Sequence, residues 1–112
     1  MRLEDARWPE LSIVAGEAVA AALGAGAHVS HPNDVMIAGR KVAGVLPEAT
    51  LGRVVLGIGV NVNQRSNELP ADAEKPPTSL YLELGRETGR APLLAAILAE
   101  LERRYDAWSS VS

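Results

Sequence analysis

The sequence predicts an α+β domain in which a small mixed or antiparallel sheet carries helices on one face. Three observations predict it. Apolar residues recur at helical spacing near both ends of the chain, over 11–22 and 94–108. The middle, 35–62, breaks into short apolar runs divided by turn residues. The order helix, strand cluster, helix, helix segregates the two kinds of element, as α+β domains do. At 112 residues the chain is one domain, 1–112, able to bury about two-thirds of its unfolded surface.

Leu11, Val14, Ala15, Ala18, Val19 and Ala22 repeat with the period of a first helix. Pro9 suits its first position, where an absent N–H leaves no bond unmade, and Gly24 and Gly26 end it. Val35-Met36-Ile37 and the run from Lys41 to Leu46 read as two strands joined through Ala38-Gly39 as a hairpin turn. The run 54–62 is almost unbroken in apolar residues and contains Gly57 and Gly59. It reads as a third strand, buried on both faces, whose glycines let a backbone or ligand come close. Three or four strands are expected, with exposed edges unless another chain pairs with them.

Residues 64–77 are polar and contain Pro70, Pro76 and Pro77. They form a loop longer than most structural connections, which points to function or mobility. Thr78-Ser79-Leu80 opens a short helix that Gly85 stops. A last helix begins near Ala91-Pro92 and places Leu94, Ile97, Leu98, Leu101, Tyr105 and Trp108 on one core-facing stripe.

Composition excludes several classes. The formal charge of −3 provides no broad basic surface for nucleic acid. Without cysteine there is no disulfide or thiolate metal site, and a reducing cytoplasm suits the chain. No apolar run nears the roughly 20 residues that cross a bilayer. Residues 1–5 carry two acids and no apolar core, unlike a signal peptide. His28 and His31 have no third ligand nearby, which argues against zinc. Gly57-x-Gly59 has Val62 where a dinucleotide fingerprint needs a third glycine.

The densest cluster of chemistry-bearing residues is His31-Pro32-Asn33-Asp34, followed by Gly39-Arg40-Lys41-Val42-Ala43-Gly44-Val45-Leu46. Asp34 and Lys41 flank one tight hairpin, so a carboxylate and an ammonium could meet in one pocket. Lysine neutralises a phosphate or carboxylate as a point charge, and aspartate can share Mg²⁺ with phosphate. Gly44 would let a ligand reach the strand backbone. Pro-Asn-Asp is equally a turn sequence, since all three residues favour turns.

These blocks, with Gly57-Ile58-Gly59-Val60-Asn61-Val62-Asn63 after them, resemble the biotin–protein ligase family, in the central-to-late part of its catalytic domain. That family's pattern is Lys-Trp-Pro-Asn-Asp, a spacer, Arg-Lys-x-x-Gly-Ile-Leu, and a later Gly-x-Gly-x-Asn. The resemblance implies part of a class II synthetase-like fold. It also implies ATP-dependent formation of biotinyl-adenylate, followed by transfer of biotin to a lysine of a biotin carboxyl carrier protein. By the same resemblance Lys41 and Asp34 are catalytic. Lys41, Gly44, Leu46, Asn33 and Asn61 contact biotin or the adenylate, and Asp34 faces Mg²⁺ bound with ATP. No tightly held cofactor is implied beyond these substrates. Two departures from the pattern leave a second reading open. Ser30-His31 stands where the family has Lys-Trp, and His31 could supply a partial cation there. The strands bearing the family's Gly-Arg-rich loop and its small C-terminal domain have no counterpart in 1–112. An inactive remnant, an interaction module, one half of a split ligase, or a homodimer formed through the exposed sheet edge would fit these departures.

Overall fold

Pro9 lies in a single 3-10 turn, Trp8–Glu10, that runs directly into helix α1, Leu11–Leu23. The computed structural model describes residues 7–110; the signal-peptide reading of residues 1–5 lies outside them. Helix α1 buries Leu11, Val14, Ala15, Ala18, Val19 and Leu23. Its alanines keep the helix thin, so it packs against both the sheet and the last helix.

Four strands follow: β1 His28–Ser30, β2 Asp34–Ile37, β3 Arg40–Thr50 and β4 Arg53–Val60. They pair in sequence order and are antiparallel throughout. Of the three or four strands expected, the sheet has four, the added one being β1. Strand β1 has three residues, too few to display an alternating pattern. The hairpin between β2 and β3 turns at Ala38 (φ 51°) and Gly39 (φ 79°), the paired positive φ angles that match strand twist in a two-residue loop. Strand β3 extends well past Leu46, because Leu51 and Gly52 (φ 49° and 74°) make the next such turn and the intervening residues pair with β4.

Strand β4 is not buried on both faces. It is an edge strand; Val54 is buried while Val55 is 55% exposed. Its continuous apolar run concealed an alternation between a core-facing side and an open side.

The core joins Val19 and Leu23 of α1 to Val35, Ile37, Val42 and Ala43 of the sheet, with Val62, Leu80, Leu93 and Ile97 closing it. Helix α2, Leu80–Leu84, is capped by Ser79, whose hydroxyl accepts from the N–H of Leu82 at 3.2 Å and donates to the carbonyl of Gln64 at 2.6 Å. Helix α3, Arg90–Ser109, lies beside α1. Its expected stripe holds at Ile97, which is buried, and at half-buried Leu101, Tyr105 and Trp108, but Leu93 is buried while Leu94 and Leu98 are 57% and 54% exposed. Leu93-Leu94 and Ile97-Leu98 are adjacent apolar pairs, so either member could face inward until α1 set the direction. Among the described residues no helix is long and apolar enough to cross a membrane.

Candidate functional site

The pairing register decides which side chains share a face. Asp34 lies opposite Gly44 and Met36 opposite Lys41. Residues 34 and 36 point to one side of β2, because side chains alternate along a strand. Residues opposite one another share a face, so Asp34, Gly44 and Lys41 lie together. In a regular strand positions 41 and 44 would point to opposite sides. A register shift at Val35/Met36 places an additional residue in β3 and restores them to one side, as a β-bulge does. Val42 and Ala43, both buried, lie beside that irregularity.

The same register extends the face across β4, where Gly44 is opposite Gly59 and Leu46 opposite Gly57. Three glycines thus leave the strand backbone bare. An open groove of about 440 Å³ lies over them, lined by Asn33, Asp34, Lys41, Gly44, Leu46 and the β4 glycines. Gly44 is needed there: a Cβ at this position would lie 3.3 Å from Cε and 3.4 Å from Nζ of Lys41. The lysine stem lies over the glycine.

The Lys41 ammonium is 3.1 Å from Oδ1 of Asp34. The hairpin therefore brings the two charges to one side of the sheet. A second ammonium, that of Lys75, contacts Oδ2 of the same carboxylate. Lys75 belongs to the loop after β4 and had no place among the sequence candidates. A usable signal was present: Lys41 and Lys75 are the only two lysines in the chain. The loop is fixed to β3 by its backbone. The N–H of Lys41 donates to the carbonyl of Pro76 and the carbonyl of Lys41 accepts from the N–H of Thr78, both at 2.8 Å.

Asn33 reaches the groove, and its carbonyl accepts from the N–H of Val45 at 2.8 Å. Leu46, 57% exposed, forms an apolar rim. Asn61 lines an adjoining hollow of about 420 Å³ that shares Lys41, Gly44 and Gly59 with the groove and also contains Lys75. The Asn61 side-chain amide donates to the carbonyl of Thr78 at 3.0 Å, so it also anchors the loop. His31 is elsewhere: it lines a separate hollow with His28, Glu17 and Arg104.

Burial pushes the Asp34 carboxyl up, but hydrogen bonds from Lys75 and Lys41 and their charges outweigh it and hold the group below its ordinary value. A depressed native pKa stabilises the fold above the unfolded pKa and ceases to do so as pH falls through the native one. Stability from Asp34 is thus complete above about pH 5 and is lost from about pH 4 downward. Urea titrations at several pH values should show wild type losing more stability than Asp34→Asn over that acidic window; parallel losses would contradict the assignment.

No protein-family model matches the chain. Among curated relatives, the bifunctional ligase/repressor BirA of Bacillus spizizenii is 36% identical over 106 residues, which is 87% of this chain and 33% of that protein. The biotin–[acetyl-CoA-carboxylase] ligase of Mycobacterium tuberculosis is 37% identical over 113 residues, covering 94% of this chain and 41% of the relative. In structure, the chain superposes on the apo biotin protein ligase of Aquifex aeolicus with a TM-score of 0.86 at 31% identity, over 97% of this chain and 50% of that one. The chain belongs to the biotin–protein ligase family.

It spans between a third and a half of the length of these relatives. The antiparallel four-strand sheet with its helices matches part of the biotin–protein ligase fold. The same Aquifex enzyme is also known in complex with biotin and ATP, and that form superposes with a TM-score of 0.84.

Proposed function

We propose that the chain takes part in ATP-dependent formation of biotinyl-adenylate and in transfer of the biotinyl group to a lysine of a biotin carboxyl carrier protein. The observation that carries this reading is the Lys41–Asp34 pair, 3.1 Å apart, over a floor of glycine backbone. In the first step a carboxylate oxygen of biotin attacks the α-phosphorus of ATP. The bond from that phosphorus to the bridging oxygen breaks, and pyrophosphate leaves with the electron pair. Negative charge gathers around phosphorus, where the Lys41 ammonium stabilises it without moving far. In the second step the carrier lysine's ammonium gives a proton to solvent, and the resulting amine attacks the acyl carbon. AMP leaves with the electron pair of the C–O bond, and the nitrogen's remaining surplus proton also passes to solvent.

Asp34 is a weak base at neutral pH, because the two lysines hold its carboxyl low. Its role in this reading is to orient Lys41 and to attract the incoming ammonium. Gly44 and Leu46 line the biotin side, Asn33 faces the phosphates, and Asn61 flanks the adenylate from the adjoining hollow. Among the described residues no cluster of three metal-ligating side chains occurs. Mg²⁺ arriving with ATP would be held by the carboxylate of Asp34, with Lys75 withdrawn from it, and would screen phosphate charge.

The test is incubation of the chain with labelled biotin, ATP, Mg²⁺ and a carrier domain. Label on the acceptor lysine is expected; the absence of both transfer and biotin binding at high protein concentration would overturn the reading. The cytoplasm, where ATP is supplied, is the compartment this reading expects.

A second copy is the other partner we propose, joined through a sheet edge, since β1 and β4 both end the sheet and exposed edges invite pairing. Leu94 and Leu98 add apolar surface beside β4. The melting temperature should then rise with protein concentration, as it does when assembly stabilises a fold. A sharp, concentration-independent melt of a monomer would contradict it.

A further inference from the structure

Both lysines of this chain converge on one carboxylate. The other nine of the eleven lysines and arginines are arginines, several of them paired with glutamates, as Arg40 is with Glu83 and Arg104 with Glu100. Lysine differs from arginine in being a compact charge that rotates freely and trades partners readily. Asp34 needs one counter-charge and has two. With Asp34 ionised, the cluster carries one surplus positive charge at the edge of the glycine floor.

Stability does not account for the second lysine. Lys75 and Lys41 are 39% and 42% exposed, and ion pairs this open contribute about 0–1 kcal/mol. Placing a second ammonium next to the first reduces even that, because the two repel. Yet the chain holds Lys75 here deliberately in a structural sense. Pro76 and Pro77 limit the loop's freedom before folding, and the bonds from Lys41 to residues 76 and 78 fix the backbone on the C-terminal side of Lys75. The lysine's base is thereby set while its ammonium stays able to turn. Lys75 shares the adjoining hollow with Lys41, Gly44, Gly59 and Asn61, so an anion lying between the two hollows would meet both ammoniums.

We propose that Lys75 is a second phosphate-binding cation of this site, neutralising Asp34 when no anion is present and turning to the nucleotide's phosphates when they bind. The exchange has a further consequence. Once Lys75 leaves Oδ2, that oxygen is open to the carrier's incoming ammonium or to a phosphate-bound cation, so nucleotide binding prepares Asp34 for its next partner. The assignment to a nucleotide rests on the ligase reading above; the anion site itself rests on the cluster.

Calorimetric titration of inorganic pyrophosphate and, separately, of biotin into wild type, Lys75→Met, Lys75→Gln and Lys75→Arg tests this at one fixed ionic strength. Pyrophosphate affinity should fall about tenfold in the Met and Gln variants and stay within about threefold in Lys75→Arg, the loss expected for one charge-assisted contact. Biotin affinity should be unchanged in all four proteins. Equal pyrophosphate affinity in wild type and either neutral variant, or no pyrophosphate binding by wild type, would overturn the proposal. If wild type binds pyrophosphate through Lys75 but does not bind biotin, the ligase reading falls and the anion site stands. Thermal melts of each variant keep a folding defect distinct from a binding one.

Discussion

Replacing Lys41 by methionine is expected to slow biotinyl-adenylate formation by about 10²–10³-fold, the usual loss when one preorganised charge-stabilising donor is removed. Methionine keeps most of the stem that lies across Gly44 and removes the charge. Stability should change little, since the side chain is 42% exposed and open ion pairs contribute about 0–1 kcal/mol. The expected pattern is therefore a folded protein with a normal melt and a large fall in pyrophosphate release. Pyrophosphate release within about threefold of wild type would remove Lys41 from the chemistry.

The second large effect is expected at Gly44. A Cβ there already lies within 3.3–3.4 Å of the end of Lys41, and valine adds two methyl groups on the groove floor. The long lysine would yield before the backbone did, so its ammonium would leave Asp34 and the groove would fill. Displacing a reacting group by about 1 Å can cost about 10²-fold, and Gly44→Val should lose at least that in adenylate formation together with most biotin affinity. Gly59 is the control: a Cβ there meets no protein atom within 4 Å. Gly59→Ala should leave the Lys41–Asp34 pair intact and reduce binding only by crowding the ligand. Equal activity of Gly44→Val and wild type would show that the ligand does not lie on this floor.

The two positions differ in how much the chain itself discloses. The meeting of Asp34 and Lys41 was legible because Ala38-Gly39 marks a tight turn, and a short hairpin leaves its flanking residues few places to go. The sharing of a face with Gly44 was not legible. It needs one irregular residue, and in the apolar run Val42-Ala43 an added residue leaves no break in pattern. Lys75 is 41 residues from Asp34; only the path of a loop brings them together, and loop paths follow from backbone bonds such as those of Pro76 and Thr78, not from periodicity. The outward turn of Leu94 and Leu98 on α3 was hidden for a related reason. Leu93-Leu94 and Ile97-Leu98 offer two stripes one residue apart, and the neighbouring helix chose between them. The fold class, the hairpin and the capped α2 were legible because each depends on local chemistry: positive φ, capping and helical period.

Co-crystallisation of the chain with biotin and ATP tests the central claim most directly. The acyl-phosphate is expected over Gly44, Gly57 and Gly59, within hydrogen-bonding distance of the Lys41 ammonium. Density for the adenylate on another surface, or Lys41 still bound to Asp34 with no phosphate oxygen in reach, would contradict it.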